Sequence, residues 1–159
     1  MAYRKYLSND THAGGYGGAF EHIHYFRAAV QGEVTSDQAG VWVFTAPASG
    51  SIVSVVGSEM ENGGDATGPD ALTMVFTVYK NATAVCTTDP AITKAAAADA
   101  KVSTAAAGTG ITQAVLKTDG SCDFVAGDQI NVTFDITRVT PETEITTPAV
   151  MVGVKFNAA

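Results

Sequence analysis

The sequence predicts an all-β protein built as a single antiparallel sandwich, and three observations carry that expectation. Only 16% of the residues are charged, so the polar surface rests on Thr, Ser, Asn and Gly, of which threonine suits strands and glycine suits turns. Residues 129–139, QINVTFDITRV, set Ile130, Val132, Phe134 and Ile136 against Asn131, Thr133, Asp135 and Thr137, the period-two pattern of a half-buried strand. Gly, Pro, Asn and Asp then punctuate the chain at uneven, sandwich-like intervals. At 159 residues the chain fits one domain with a substantial core.

The elements follow in order. Residues 1–20 are glycine-rich and dotted with Tyr3, Tyr6, Tyr16 and Phe20. Gly14-Gly15 and Gly17-Gly18 oppose regular structure there, and the segment reads as an arm that orders against its own domain or a neighbour. Residues 21–159 form the sandwich domain. HIHYFRAAV (22–30) is the first strand. VWVFTAP (41–47) ends at Pro47, and Gly50 turns the chain into SIVSVVG (51–57). SEMENGGDATGPD (58–70) is a polar loop. LTMVFTVYK (72–80) alternates, with Leu72, Met74, Phe76 and Val78 on one face, and a turn at Asn81-Ala82 returns the chain into TAVC (83–86). Residues 87–110 make an Ala- and Thr-rich excursion in which KAAAADAK (94–101) has the propensity for a turn or two of helix. ITQAVLK (111–117), SCDFV (121–125) and 129–139 are strands separated by turns at Asp119-Gly120 and Gly127-Asp128. TPETEITTP (140–148) is a polar loop, and VMVGVKF (150–156) is the last strand. Eight or nine strands without a long helix suit a jelly roll.

Several function classes are opposed by the same residues. The formal net charge is -7, and the nine basic residues are scattered, with only Arg4-Lys5 adjacent; a nucleic-acid partner needs clustered cations. No apolar run approaches the roughly 18 residues of a membrane span. The first residues lack the apolar core of a secretory signal, so the acceptor pattern Asn81-Ala82-Thr83 is expected to be a hairpin turn and not a glycosylation site, and Asn131-Val132-Thr133 inside a strand is read the same way. Cys86 and Cys122 match no metal or redox spacing and read as buried thiols in a reducing cytoplasm. Pairing of the two outside the cell stays open.

Candidate chemistry is sparse. His22-x-His24 places two imidazoles on one strand face, the pair that a metal-dependent cupin uses. A cupin adds a Glu shortly after the second His, where this chain has Ala28 and Ala29, and a later His, where it has none. His22 and His24 are therefore weak metal candidates, no cofactor is expected, and exposed or interface histidines are the plainer reading. Glu59, Glu61, Asp65, Asp70, Glu142 and Glu144 read as solvated loop charge, and Asp65 to Asp70 lacks the oxygen ligands of a calcium loop. There is no nucleophile elbow, every His lies far in sequence from both cysteines, and the glycines at 14–18 lack the strand, helix and lysine of a phosphate loop. No catalytic activity is expected.

Trp42 and Phe44 read as an aromatic face on their strand, opposite Val41 and Val43. The strands at 52–56 and 150–156 are also apolar on both sides. A two-layer sandwich leaves the outer face of each sheet wet, so a neighbouring subunit is the expected cover. A sugar-binding platform around Trp42 is the rival.

The runs VWVFTAPASGSIVSVVG, LTMVFTVYKNATAVCTTDPAITKAA and FVAGDQINVTFDI resemble the small jelly-roll cement, or decoration, proteins of tailed bacteriophages, cyanophages among them. The similarity spans about residues 40 to 156 and rests on an aromatic strand ending at Ala46-Pro47, the Gly50 turn, the Lys80-Asn81 strand end, and Ala126-Gly127-Asp128 before the alternating strand. More distantly the chain is similar to trimeric tumour-necrosis-factor-like jelly rolls. These motifs mark turns, not chemistry. The resemblance implies a structural protein of the virion, made in the host cytoplasm. It would sit as a homotrimer on the outer capsid surface, bind the major capsid protein and stabilise capsomer contacts. Tyr3, Tyr6, Tyr16, Phe20 and Trp42 would be its capsid or subunit contacts. A virion-surface module that binds a host-surface glycan or receptor is the alternative. His22-x-His24 falls outside the family pattern.

Overall fold

The computed structural model describes residues 22–62, 72–93, 96, 101–137 and 145–157. Among them the secondary structure is β, and every strand pairing is antiparallel. One sheet runs β1 (His24–Ala29), β16 (Ala149–Phe156), β4 (Gly50–Glu59), with the short β10 (Val102–Ser103) and β13 (Asp123–Phe124) both paired to β4. The other runs β11 (Ile111–Thr112), β9 (Ala91–Thr93), β6 (Thr73–Lys80), β14 (Gln129–Thr137), β3 (Gln38–Thr45), with β7 (Thr83–Ala84) on β6. Two small sheets close the ends: β12 (Val115–Leu116) on β8 (Cys86–Thr88), and β15 (Ile145–Thr146) between β2 (Glu33–Val34) and β5 (Glu61–Asn62). The chain changes sheet between β3 and β4, between β4 and β6, and between β14 and β16. That interleaving is a sandwich, not a meander.

The core lies between the two main sheets. Met74, Phe76 and Val78 of β6 and Ile130, Val132 and Phe134 of β14 are completely buried, and Val150, Val152 and Val154 of β16 face them. The alternation read from 129–137 is thus the pattern of burial. Phe76 and Phe134 meet edge to face at 5.8 Å. At one end Phe26 of β1 stacks on Phe44 of β3 at 4.1 Å, and Phe124 touches both Phe44 and Phe156 edge-on, so aromatic contacts tie one sheet to the other.

The predicted turns are in place. Lys80 pairs with Thr83 across Asn81-Ala82, and Asn81 takes a φ of 53°, which asparagine tolerates better than most residues. The Asn81 amide donates to Asp128 Oδ1 at 2.9 Å and its carbonyl accepts from the Gln129 N–H at 3.0 Å. The side chain pins the hairpin to the next turn, where Gly127 has a φ of 94°. Asn81-Ala82 is a turn and Thr83 opens β7, as the position between two strands indicates.

Other expectations are corrected. Where eight or nine strands are expected, the described residues hold sixteen, ten of them only two or three residues long. ITQAVLK splits, with β11 joining β9 while β12 joins β8. The 58–70 loop begins later than read, because β4 runs on to Glu59 and Glu61–Asn62 pairs with β15. Ile145, read as loop, is fully buried between β2 and β5. Most of 94–101, where a helical turn is expected, lies outside the described residues.

Candidate interaction surfaces

The two outer faces of the sandwich differ in chemistry. On the β1–β16–β4 sheet, register places Tyr25, Gly153 and Ser54 in one row and Arg27, Met151 and Val56 in the next. Tyr25 is 58% exposed, Ile23 41% and Met151 39%, with Val53 and Val56 half-buried beside them. A Cβ on Gly153 would meet the Tyr25 ring at 2.9 Å and an Ile23 methyl at 3.2 Å. The glycine therefore lets both side chains lie down across the sheet. The result is a mainly apolar surface that holds Arg27, with Lys155 two positions beyond Gly153 on the same face of β16. The expectation that 52–56 and 150–156 present apolar side chains on both faces holds for β4 and, through Met151, for β16.

On the other sheet the outward row positions are Thr73, Val75, Thr77 and Tyr79 of β6 and Asn131, Thr133, Asp135 and Thr137 of β14. Thr77 donates to Asp89 Oδ2 at 2.9 Å, and the Ile136 N–H donates to Asp37 Oδ1 at 2.7 Å. Burial, and then the charges of Asp37 and Asp89, raise the Asp135 carboxyl above its ordinary pKa. This face is polar and anionic.

Trp42 belongs to the polar face, which corrects the reading of Trp42 and Phe44 as one aromatic surface. Between Ile130 and Asn131 the β14 partner jumps from Phe44 to Trp42, so β3 carries an extra residue, Val43. A bulge of this kind re-aims the side chains around it. Val43 and Phe44 both enter the core at 5% and 3% exposure, while Trp42 is left 61% exposed. Its Nε1–H donates to Thr45 Oγ1 at 3.4 Å. Alternation alone does not reveal a bulge, and so the sequence paired the two aromatics.

His22 and His24 are both exposed. The His24 ring lies 5.3 Å from that of Phe156, and among the described residues no His, Cys, Asp or Glu joins them as a third ligand. Tyr3, Tyr6, Tyr16 and Phe20 lie outside the described residues. Cys86 and Cys122 are free and buried. Burial first, then the Asp89 charge, pushes the Cys86 thiol up to about 12, and burial also raises Cys122. The Cys122 thiol donates to the carbonyl of Val85 at 3.3 Å. Neither is a reactive thiolate.

Glu59 corrects another expectation. Read as solvated, it is 3% exposed, because the inward alternation of Gly57 continues to the end of β4. Neither carboxylate oxygen has a hydrogen-bond partner among the described residues, and burial pushes its pKa up to about 8. The signal for it was one residue of strand length, since residue 59 shares the parity of the buried Gly57.

No family model matches the chain, and no curated protein matches it. Among solved structures, a chain of the Cyanophage Pam1 capsid asymmetric unit overlaps it with a TM-score of 0.41 and 14% identity, over 99% of this chain and 100% of that one. An overlap that loose does not establish a shared fold, and the functional reading rests on this chain's own residues.

Proposed function

We propose that this chain is a structural protein of a bacteriophage virion, a jelly-roll cement protein that binds the major capsid protein on the outer capsid surface as a homotrimer. The observation that carries the reading is the apolar outer face of β1–β16–β4. Tyr25, Ile23, Met151, Val53 and Val56 form a patch that a lone domain would leave in water, and a neighbouring copy of the chain, packing a different surface against it as a three-fold ring requires, is its simplest cover. The sheet-to-sheet interleaving of the long strands, and the resemblance of the turn motifs to those of phage cement proteins, agree with it. On this reading the protein has no catalytic role. Its work is mechanical: contacts that are weak singly add through effective concentration when a trimer sits on a lattice, and the arm at 1–20 supplies aromatic anchors in Tyr3, Tyr6, Tyr16 and Phe20.

Light scattering on the purified chain tests the assembly, with a mass three times the 16.3 kDa of one chain expected. Met151→Lys should leave a folded monomer, because it sets a further cation directly opposite Arg27 in the middle of the patch. Removal of residues 1–20 should leave a folded trimer that no longer decorates capsids. A wild-type monomer would refute the subunit contact, and decoration by the truncated chain would refute the arm.

A further inference from the structure

The polar sheet face carries two aromatic side chains in one row. Asn131 of β14 stands opposite Trp42 of β3 on one side and Tyr79 of β6 on the other. Directly opposed residues share a face, so the three side chains run straight across three strands. Two inter-strand spacings, about 9.5 Å, separate the flanking residues, which is close to the length of a disaccharide. The bulge at Val43 sets the geometry. It sends two consecutive side chains into the core and leaves Trp42 and Thr45 outside, where the threonine hydroxyl holds the indole nitrogen. Trp42 has the greatest exposure of the large apolar side chains described.

We propose that Trp42, Asn131 and Tyr79 form a binding row for a neutral saccharide, a site separate from the apolar face that the cement reading uses. The C–H faces of two pyranose rings stack on the indole and the phenol, as apolar rings stack on aromatic faces. The Asn131 amide between them offers both a donor and an acceptor to ring hydroxyls. Thr133, the next outward residue of β14, extends the polar floor. Charge sets the class of sugar. Asp37, Asp89 and Asp135 border the same face, and the whole chain is anionic. Sulfated or uronic-acid chains are repelled there, and uncharged hexose chains are not.

Affinity electrophoresis tests this, using native gels that contain soluble β-glucan, mannan or galactan, with dextran sulfate as the acidic control. The full-length protein should be retarded in at least one neutral gel and not by dextran sulfate. The same neutral polysaccharide should change the emission of Trp42, the only tryptophan. Trp42→Ala and Tyr79→Ala should each weaken retardation about tenfold. Circular dichroism should match the wild type for Trp42→Ala, whose side chain is mostly outside the core. No retardation in any neutral gel, retardation by dextran sulfate alone, or wild-type mobility of Trp42→Ala would each overturn the proposal. Because the apolar face is untouched, Trp42→Ala should keep the wild-type solution mass, so failure here is distinct from failure of the subunit contact.

Discussion

Replacing Glu59 with glutamine should stabilise the protein at neutral pH and remove much of its pH dependence. The carboxyl is 3% exposed, without a hydrogen-bond partner among the described residues. Burial without a partner penalises the charged form. Its folded-state pKa of about 8 compares with 4.5 for a free glutamate. The fold holds the proton more tightly than the unfolded chain does. The associated stability is fully present below about pH 4.5 and is lost as pH rises toward and through about 8. By linkage the loss is about 1 kcal/mol at pH 5 and about 3 kcal/mol at pH 7. Glutamine keeps the shape and stays neutral, so its gain over wild type should be small at pH 4 and grow to about 3 kcal/mol at pH 7. Urea unfolding followed by far-ultraviolet circular dichroism is the assay, since Trp42 is too exposed to report on packing. At a slope of about 2 kcal/mol per molar, the midpoint should shift by about 1.5 M at pH 7. Parallel wild-type and Glu59→Gln midpoints from pH 4 to 8 would refute the reasoning and mean that Glu59 is solvated or paired.

Two further substitutions probe the frame. Asn81→Ala should cost about 2–3 kcal/mol, from two lost hydrogen bonds and a β-carbon residue at positive φ, and Asn81→Gly should cost about 1 kcal/mol less because the strain goes; a thermal melt in which both fall equally would contradict this. Gly57→Ala places a methyl against the Phe76 ring, so it should lower stability by about 1–3 kcal/mol, whereas a neutral result in urea unfolding would mean that the sheets separate there without cost.

What the sequence made legible was whatever depends on local periodicity. Ile130, Val132 and Phe134 announce their burial by alternation, and Asn81 and Gly127 announce turns by the backbone angles they tolerate. What it hid depends on interruption and on distant partners. Trp42 and Phe44 look equivalent until β14 shows the extra residue between them. Ile145 looks like loop because its neighbours are Thr and Glu, and it becomes core only when β2 and β5 close around it. Glu59 looks like surface because charge usually is, and strand parity outranks composition there. The apolar outer face was legible in part, through Val53, Val56 and Met151. Tyr25 joined it only once Gly153 was known to lie beneath the ring.

The two faces together make a joint prediction. A trimer closed through β1–β16–β4 leaves three polar sheets outside, each with a Trp42–Asn131–Tyr79 row. A long polysaccharide can bridge rows, and avidity then raises apparent affinity by about 10²–10⁴ over one site. A short oligosaccharide reaches a single row and gains nothing. Met151→Lys, which should separate the subunits without touching β3, β6 or β14, therefore discriminates. Its retardation by polysaccharide should fall at least tenfold, while calorimetric titration with a hexasaccharide of the same sugar should give the wild-type affinity per chain. Equal loss for both ligands would mean that the faces are not independent and that the row is shaped by the subunit contact. Equal retention of both would mean that each chain binds alone, and the multivalent arrangement would fall.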